Sequence, residues 1–122
     1  MAASATVTIQ GVVSNTPSGG RTIGPISITS SDANGQVQRV VLQSGENVIT
    51  IPTVPAPNGC IIVLPSDNTA VTKFVGTTGD TGFAIGKTTK HMITWDPTAV
   101  PTSFILSSAS TQTGKITEIQ FF

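Results

Sequence analysis

Glycine and proline interrupt this chain too often for a long helix to survive. It carries 12 Gly and 8 Pro in 122 residues, spread from Gly11 to Gly114. Each Pro removes a backbone donor and clashes with the preceding turn, and each Gly weakens a helix interior. What recurs instead is a short apolar run, roughly four to eight residues long, followed by a cluster of turn residues. That is the punctuation of an all-β chain.

Val7, Ile9 and Val13 alternate with polar neighbours and mark a first strand. Ile23, Ile26 and Ile28 mark a second, in which Pro25 interrupts the ladder and points to an edge or a bulge. Residues 15–20 are a loop by composition. Asp32-Ala33-Asn34-Gly35 is a tight-turn signal, because Asn-Gly supplies positive φ angles readily. Further runs follow at 37–42, 48–51, 60–64, 71–75, 82–86, 92–95, 103–106 and 116–121. Pro52, Pro55 and Pro57 cannot donate to a ladder, so 52–59 is expected to connect two sheets. The spacing predicts an all-β fold: an antiparallel two-sheet sandwich, jelly-roll-like, of about 8–10 short strands. Residues 1–122 are expected to form a single β-sandwich domain, with residues 1–20 as an N-terminal arm. The whole segment through Asp32 departs from the core pattern.

Charge is scarce and balanced, six Lys plus Arg against six Asp plus Glu. The cations Arg21, Arg39, Lys73, Lys87, Lys90 and Lys115 are scattered, whereas binding to phosphates needs a clustered basic stripe. No nucleic-acid partner is expected. Twenty Thr and twelve Ser supply the polar surface instead. A surface with so little charge has little self-repulsion, which favours association with copies of itself or with a larger assembly. The opening Met1-Ala2-Ala3-Ser4-Ala5 has neither the basic nor the apolar region of a signal peptide. No stretch approaches the ~18 apolar residues of a membrane span. A soluble protein made in a cytoplasm, with no membrane partner, is the expectation.

Chemistry-bearing residues are few. Cys60 is the lone cysteine, so no internal disulfide exists, and its apolar run reads as a buried strand. His91 is the lone imidazole, and no Gly-x-Ser-x-Gly elbow is present to complete a hydrolytic triad. Of the acids Asp32, Glu46, Asp67, Asp80, Asp96 and Glu118, four fall in turns, where bonds to the backbone explain them. One His and one Cys cannot make a zinc cluster, and no Asp-x-Asp run offers calcium ligands. Residues 75–82 are glycine-rich but lack the Lys-Ser/Thr ending of a phosphate loop. Gly79 and Gly82 there are expected to allow a sharp turn, with Asp80 and Thr81 capping free amides. Trp95 alternates within its strand and is expected in the core or an interface rather than as a stacking platform. Catalytic, cofactor and metal residues are therefore all expected to be none, and the chain is not expected to be an enzyme.

One resemblance covers residues 36–121. Leu64-Pro65-Ser66-Asp67-Asn68 closes an apolar strand and is followed by Lys73-Phe74-Val75-Gly76 and Gly79-Asp80-Thr81-Gly82-Phe83-Ala84-Ile85. After these come Met92-Ile93-Thr94-Trp95-Asp96 and Ser103-Phe104-Ile105-Leu106-Ser107-Ser108. Upstream lies Leu42-Gln43-Ser44-Gly45-Glu46-Asn47-Val48-Ile49-Thr50-Ile51-Pro52. Together these resemble small jelly-roll-like virion structural proteins of tailed bacteriophages, the head decoration or accessory proteins. The resemblance implies a structural role in the virion, as a capsid decoration or cement protein acting through homo-oligomeric and capsid contacts. The major capsid protein or tail proteins would be its partners. It carries over no catalytic residue. The alternative is a tail or fibre component that binds a receptor or carbohydrate, for which Trp95, Phe83 or Phe104 would have to be exposed.

Overall fold

The computed structural model describes residues 5–13, 21–30, 36–53 and 56–122, and among them all regular structure is strand. No helix is long and apolar enough to cross a membrane. The chain divides into two compact units, Met1–Ala33 and Asn34–Phe122.

The first unit is a two-stranded antiparallel ribbon of β1 (Ala5–Val13) and β2 (Arg21–Ser30). Its register pairs Val7 with Ile28 and Ile9 with Ile26, then shifts, so that Gly11 pairs with Ile23. Gln10 thus stands opposite both Gly24 and Pro25, which is the two-against-one count of a β-bulge. The interruption expected at Pro25 lies there. The Gly24–Pro25 peptide is cis, and Gly24 takes φ 74°.

The second unit holds eight strands: β3 (Val37–Val40), β4 (Gly45–Thr50), β5 (Gly59–Val63), β6 (Thr72–Val75), β7 (Phe83–Ile85), β8 (Lys90–Thr94), β9 (Ser103–Ser108) and β10 (Thr117–Phe121). They form two antiparallel four-stranded sheets, ordered β3-β10-β5-β8 and β4-β9-β6-β7. Strand pairs are nested: β6 with β7, β5 with β8, β4 with β9, β3 with β10. The unit is one long antiparallel double ribbon, closed at the β6–β7 end and rolled so that β10 also meets β5 and β6 also meets β9. That is a jelly roll. The expected sandwich is this unit, and β4 and β5, which flank the Pro-rich connection, lie in different sheets.

The core lies between the sheets. Cys60 and Ile62 on β5, with Ile119 and Phe121 on β10, face Ile49 on β4 and Phe104 and Leu106 on β9. Leu42, Ile51 and Leu64, just past strand ends, close the cluster. Phe74 stacks on Phe104 with ring centroids 5.3 Å apart. Such offset aromatic pairs add to the burial energy of their area.

Three readings need correction or fall elsewhere. Asn34-Gly35 lies outside the described residues, as does the loop 15–20. The strands flanking Asn34-Gly35 are not hairpin partners, since β2 pairs with β1 and β3 with β10. Ser and Thr do not serve the surface alone. Thr72, Thr117 and Ser108 are buried, and Thr72 Oγ1 accepts a bond from the buried Asn68 amide. Ile119, Phe121 and Phe122, on and just after β10, are buried.

Candidate functional site

The residues with chemical potential are dispersed, and several are tied to their own local structure. Cys60 is fully buried on central strand β5 and free. Desolvation pushes its thiol up to about 12 from 9.0, because a buried thiolate loses its hydration without a compensating cation. The proton is held more tightly in the folded than in the unfolded chain. Stability is therefore fully present below the unfolded value near pH 9 and falls as pH rises toward about 12. At pH 8 the thiolate fraction should be about three orders of magnitude below that of an ordinary cysteine. Native protein should react with a thiol reagent correspondingly slowly and become fully reactive in denaturant. Prompt native reaction would show that β5 is not packed as described.

His91 sits in the row Gln38–Ile119–Ile62–His91, at the edge of its sheet. Its Nε2 is 3.0 Å from the Gly86 carbonyl oxygen and 3.0 Å from the Thr89 hydroxyl. Since a carbonyl only accepts, this contact selects the Nε2–H tautomer and ties His91 to the β7–β8 turn. The acids are used in the same local way. Asp80 Oδ2 accepts from Thr77 Oγ1 at 2.6 Å and from the Thr77 amide at 3.2 Å. Asp96 Oδ1 accepts from Thr98 Oγ1 at 2.7 Å and its amide at 2.8 Å. The Thr98 hydroxyl, then its amide, lower the Asp96 pKa. Glu118 is 3.8 Å from Arg39 Nε and accepts from Gln120. Asp32 lies outside the described residues. Among those described, no three His, Cys, Asp or Glu residues come together as a metal site. Trp95 packs on the rim of the core and donates its indole N–H to the Pro57 carbonyl at 2.7 Å. It is thus committed to the fold, as is the buried Phe104. Of the three aromatic candidates only Phe83, 62% exposed, stands free for a ligand.

What remains are the outer faces of the sandwich, and the two differ. On the β4-β9-β6-β7 sheet the register lines up Val48, Ile105 and Val75 in one row pointing away from the core. Ile105 and Val75 are nevertheless 3% and 2% exposed, and neither belongs to the cluster between the sheets. The loop 76–82 explains this. It leaves β6 at Val75 and folds back, so that the Gly79 amide donates to Glu46 Oε1 on β4 at 3.1 Å. Because β9 lies between β6 and β4, the loop must cross the Ile105 row. Gly79 (φ 89°) and Gly82 (φ 64°) permit the fold-back. A Cβ on Gly82 would strike the Phe74 carbonyl oxygen and come within 2.7 Å of Val75 Cγ2. This strap was only half legible: the turn and the Asp80 cap were, but its docking on Glu46 was not. Beyond it, Val71, Lys73, Ser107, Ser108 and Ala109 line a shallow cleft of about 230 Å³, small for a ligand pocket and holding one charge.

Among the described residues of the second unit, no such strap crosses the outer face of the β3-β10-β5-β8 sheet. Its rows are Val37–Gln120–Ile61–Met92 and Arg39–Glu118–Val63–Lys90. Ile61, Val63 and Met92 are half-buried and Val37 is exposed. Strand β5 is thus apolar on both faces, the pattern of a strand covered on both sides. Comparison with family models, curated proteins and solved structures gives no match to this chain.

Proposed function

We propose that the chain is a non-enzymatic structural protein of a tailed-bacteriophage virion, a capsid decoration protein that binds as a homo-oligomer to the major capsid protein. The observation that carries this reading is an eight-stranded jelly roll whose central strand β5 is apolar on both faces, so that Ile61 and Val63, with Met92 and Val37, stand on an outer face beside Arg39, Glu118, Lys90 and Gln120. Jelly rolls recur in viral capsid and lectin domains, and an analogy of fold raises the prior without identifying a function. A polar residue at every second position of β5 would be the ordinary choice for a solvated face. Ile61 and Val63 in those places are what a protein meant to be covered by another protein would carry. The even scatter of six cations and six anions fits a protein partner better than nucleic acid.

The test is co-sedimentation of purified protein with capsids of the phage that encodes it. Saturable binding at a stoichiometry matching a symmetry position of the shell is the expected result. A well-folded protein that leaves every capsid in the supernatant would defeat the decoration reading. The second reading, a tail or fibre component that binds a receptor or carbohydrate, is favoured by one observation. The exposed Phe83 ring tilts at 5.8 Å on Phe74, beside the polar loop 76–82. Specific glycan-array binding abolished by Phe83→Ala would establish that reading, and silence across the array would remove it.

A further inference from the structure

Asn58 and Gly59 form one of two Asn-Gly pairs in the chain, the other being Asn34-Gly35. Asparagine followed by glycine is the pair most prone to spontaneous deamidation, because glycine has no side chain to shield its nitrogen from the neighbouring carboxamide. At 59 the fold insists on that glycine, since a Cβ there would strike the Ile93 carbonyl oxygen. A reactive pair is therefore built into the start of β5 by packing.

What restrains it is the peptide plane between the two residues. Its oxygen, on Asn58, accepts from the Trp95 amide at 3.2 Å. Its N–H, on Gly59, donates to the Phe122 carbonyl at 3.3 Å, and the same oxygen takes the Asn58 amide at 2.6 Å. Trp95, just past β8, thus holds one edge of the plane, and Phe122, just past β10, holds the other. Ring closure requires the Gly59 nitrogen to lose its proton to solvent base and to turn onto Asn58 Cγ. Gly59 is buried, and the turn would strip both Trp95 and Phe122 of their partners.

We propose that Asn58-Gly59 is a latent modification site, which deamidates only when Phe122 releases the start of β5. The chemistry needs no reagent but water. The Gly59 nitrogen bonds to Asn58 Cγ, the Cγ–Nδ2 bond breaks, and the amide nitrogen takes up a proton and leaves as ammonia, giving a succinimide. Water then opens the ring at either carbonyl, leaving aspartate or isoaspartate. The isoaspartate route sends the main chain through the former side chain and adds one carbon to the backbone ahead of Gly59. It also turns the Asn58 carbonyl, the acceptor for Trp95, into a carboxylate outside the main chain. Gly59 lies opposite Thr94 with no room to absorb the added length, so β5 and β8 lose their register. The release is then one-way, because the lengthened chain no longer fits the place it left.

The full chain is held at mildly alkaline pH, native and in urea, and deamidation at Asn58 is followed by peptide mapping that separates it from Asn34. In urea Asn58 should deamidate readily. In the native protein it should be slower by roughly thirtyfold or more, the factor for a plane held by two hydrogen bonds. Equal rates in the two conditions overturn the proposal, and so does an Asn58 that stays intact in urea. Deleting Phe122 should raise the native rate several-fold toward the urea value, and a rate unchanged by the deletion removes the restraint assigned to Phe122. Should that deletion abolish folding, hydrogen exchange on the unmodified protein decides. Gly59 amide exchange and Asn58 deamidation should rise together in subdenaturing urea, and a Gly59 amide that exchanges natively as fast as in urea overturns the proposal. The isoaspartyl product should melt below the Asn58→Asp variant, which carries the same charge on an unlengthened chain. Equal melting of the two would refute the loss of register.

Discussion

Phe121→Ala should cost the sandwich about 3–5 kcal/mol. The magnitude follows from where β10 lies. Although last in sequence, β10 is an interior strand, paired with β3 on one side and β5 on the other. Phe121 lies opposite Cys60 in that ladder and is 4% exposed within the central cluster. Truncation would leave a cavity bounded by two sheets that are each held by ladders, so little collapse can fill it. Against a total of about 5–15 kcal/mol for a domain, this is a large fraction. For a unit of this size it should lower the melting temperature by at least about 12 °C. Removing both Phe121 and Phe122 should be worse, since the Phe122 backbone also binds β5. Its amide donates to Gly59 O at 3.1 Å, and its carbonyl accepts from the Asn58 amide at 2.6 Å. A thermal melt within about 4 °C of the unmodified protein would mean that Phe121 does not fill the core. Unchanged assembly and unchanged stability on deleting both would dismiss the anchoring role altogether.

Ten strands were legible in the sequence because each is a short apolar run closed by Gly, Pro, Asn or Ser, and such runs can be little else. Their pairing was not legible. Local signals name turns, and a jelly roll is decided by partners far apart in the chain, β3 with β10 and β4 with β9. Asn34-Gly35 shows the limit, since a strong hairpin dipeptide is followed by a strand whose partner lies some eighty residues away. For the same reason the outer faces could not be read. Ile61 and Ile62 are indistinguishable in sequence, yet Ile62 is at the centre of the core and Ile61 is on the opposite face. Only the register separates them. The strap at 76–82 illustrates the reverse case. Its glycines announced a turn, but that the turn lies over Ile105 depends on a bond to Glu46 more than thirty residues upstream. A buried thiol and a histidine tied to its own turn were foreseeable from their neighbours.

Gly59 joins the two lessons and carries the second large prediction. In sequence it closes a Pro-rich connection and looks like one more turn glycine. In the fold it opens β5 opposite Thr94 of β8, and its φ is not among the positive ones. What demands glycine here is space. A Cβ would strike the Ile93 carbonyl oxygen and come within 3.1 Å of both Thr94 Cα and the Phe122 ring. Two of these three neighbours are backbone, so no rotamer change relieves the clash and β8 must move away from β5. Gly59→Val should therefore cost at least about 3 kcal/mol, above the usual range for overpacking, and Gly59→Ala somewhat less. Gly45→Ala is the control, for Gly45 has φ 94° but open space around it. That substitution should cost only the left-handed strain of about 1–2 kcal/mol. Urea melts of the three variants rank the two mechanisms directly. If Gly59→Val proves no worse than Gly45→Ala, then β8 does not pass against β5 at Thr94. The ladder that brings Met92 beside Ile61 on the outer face would fall with it.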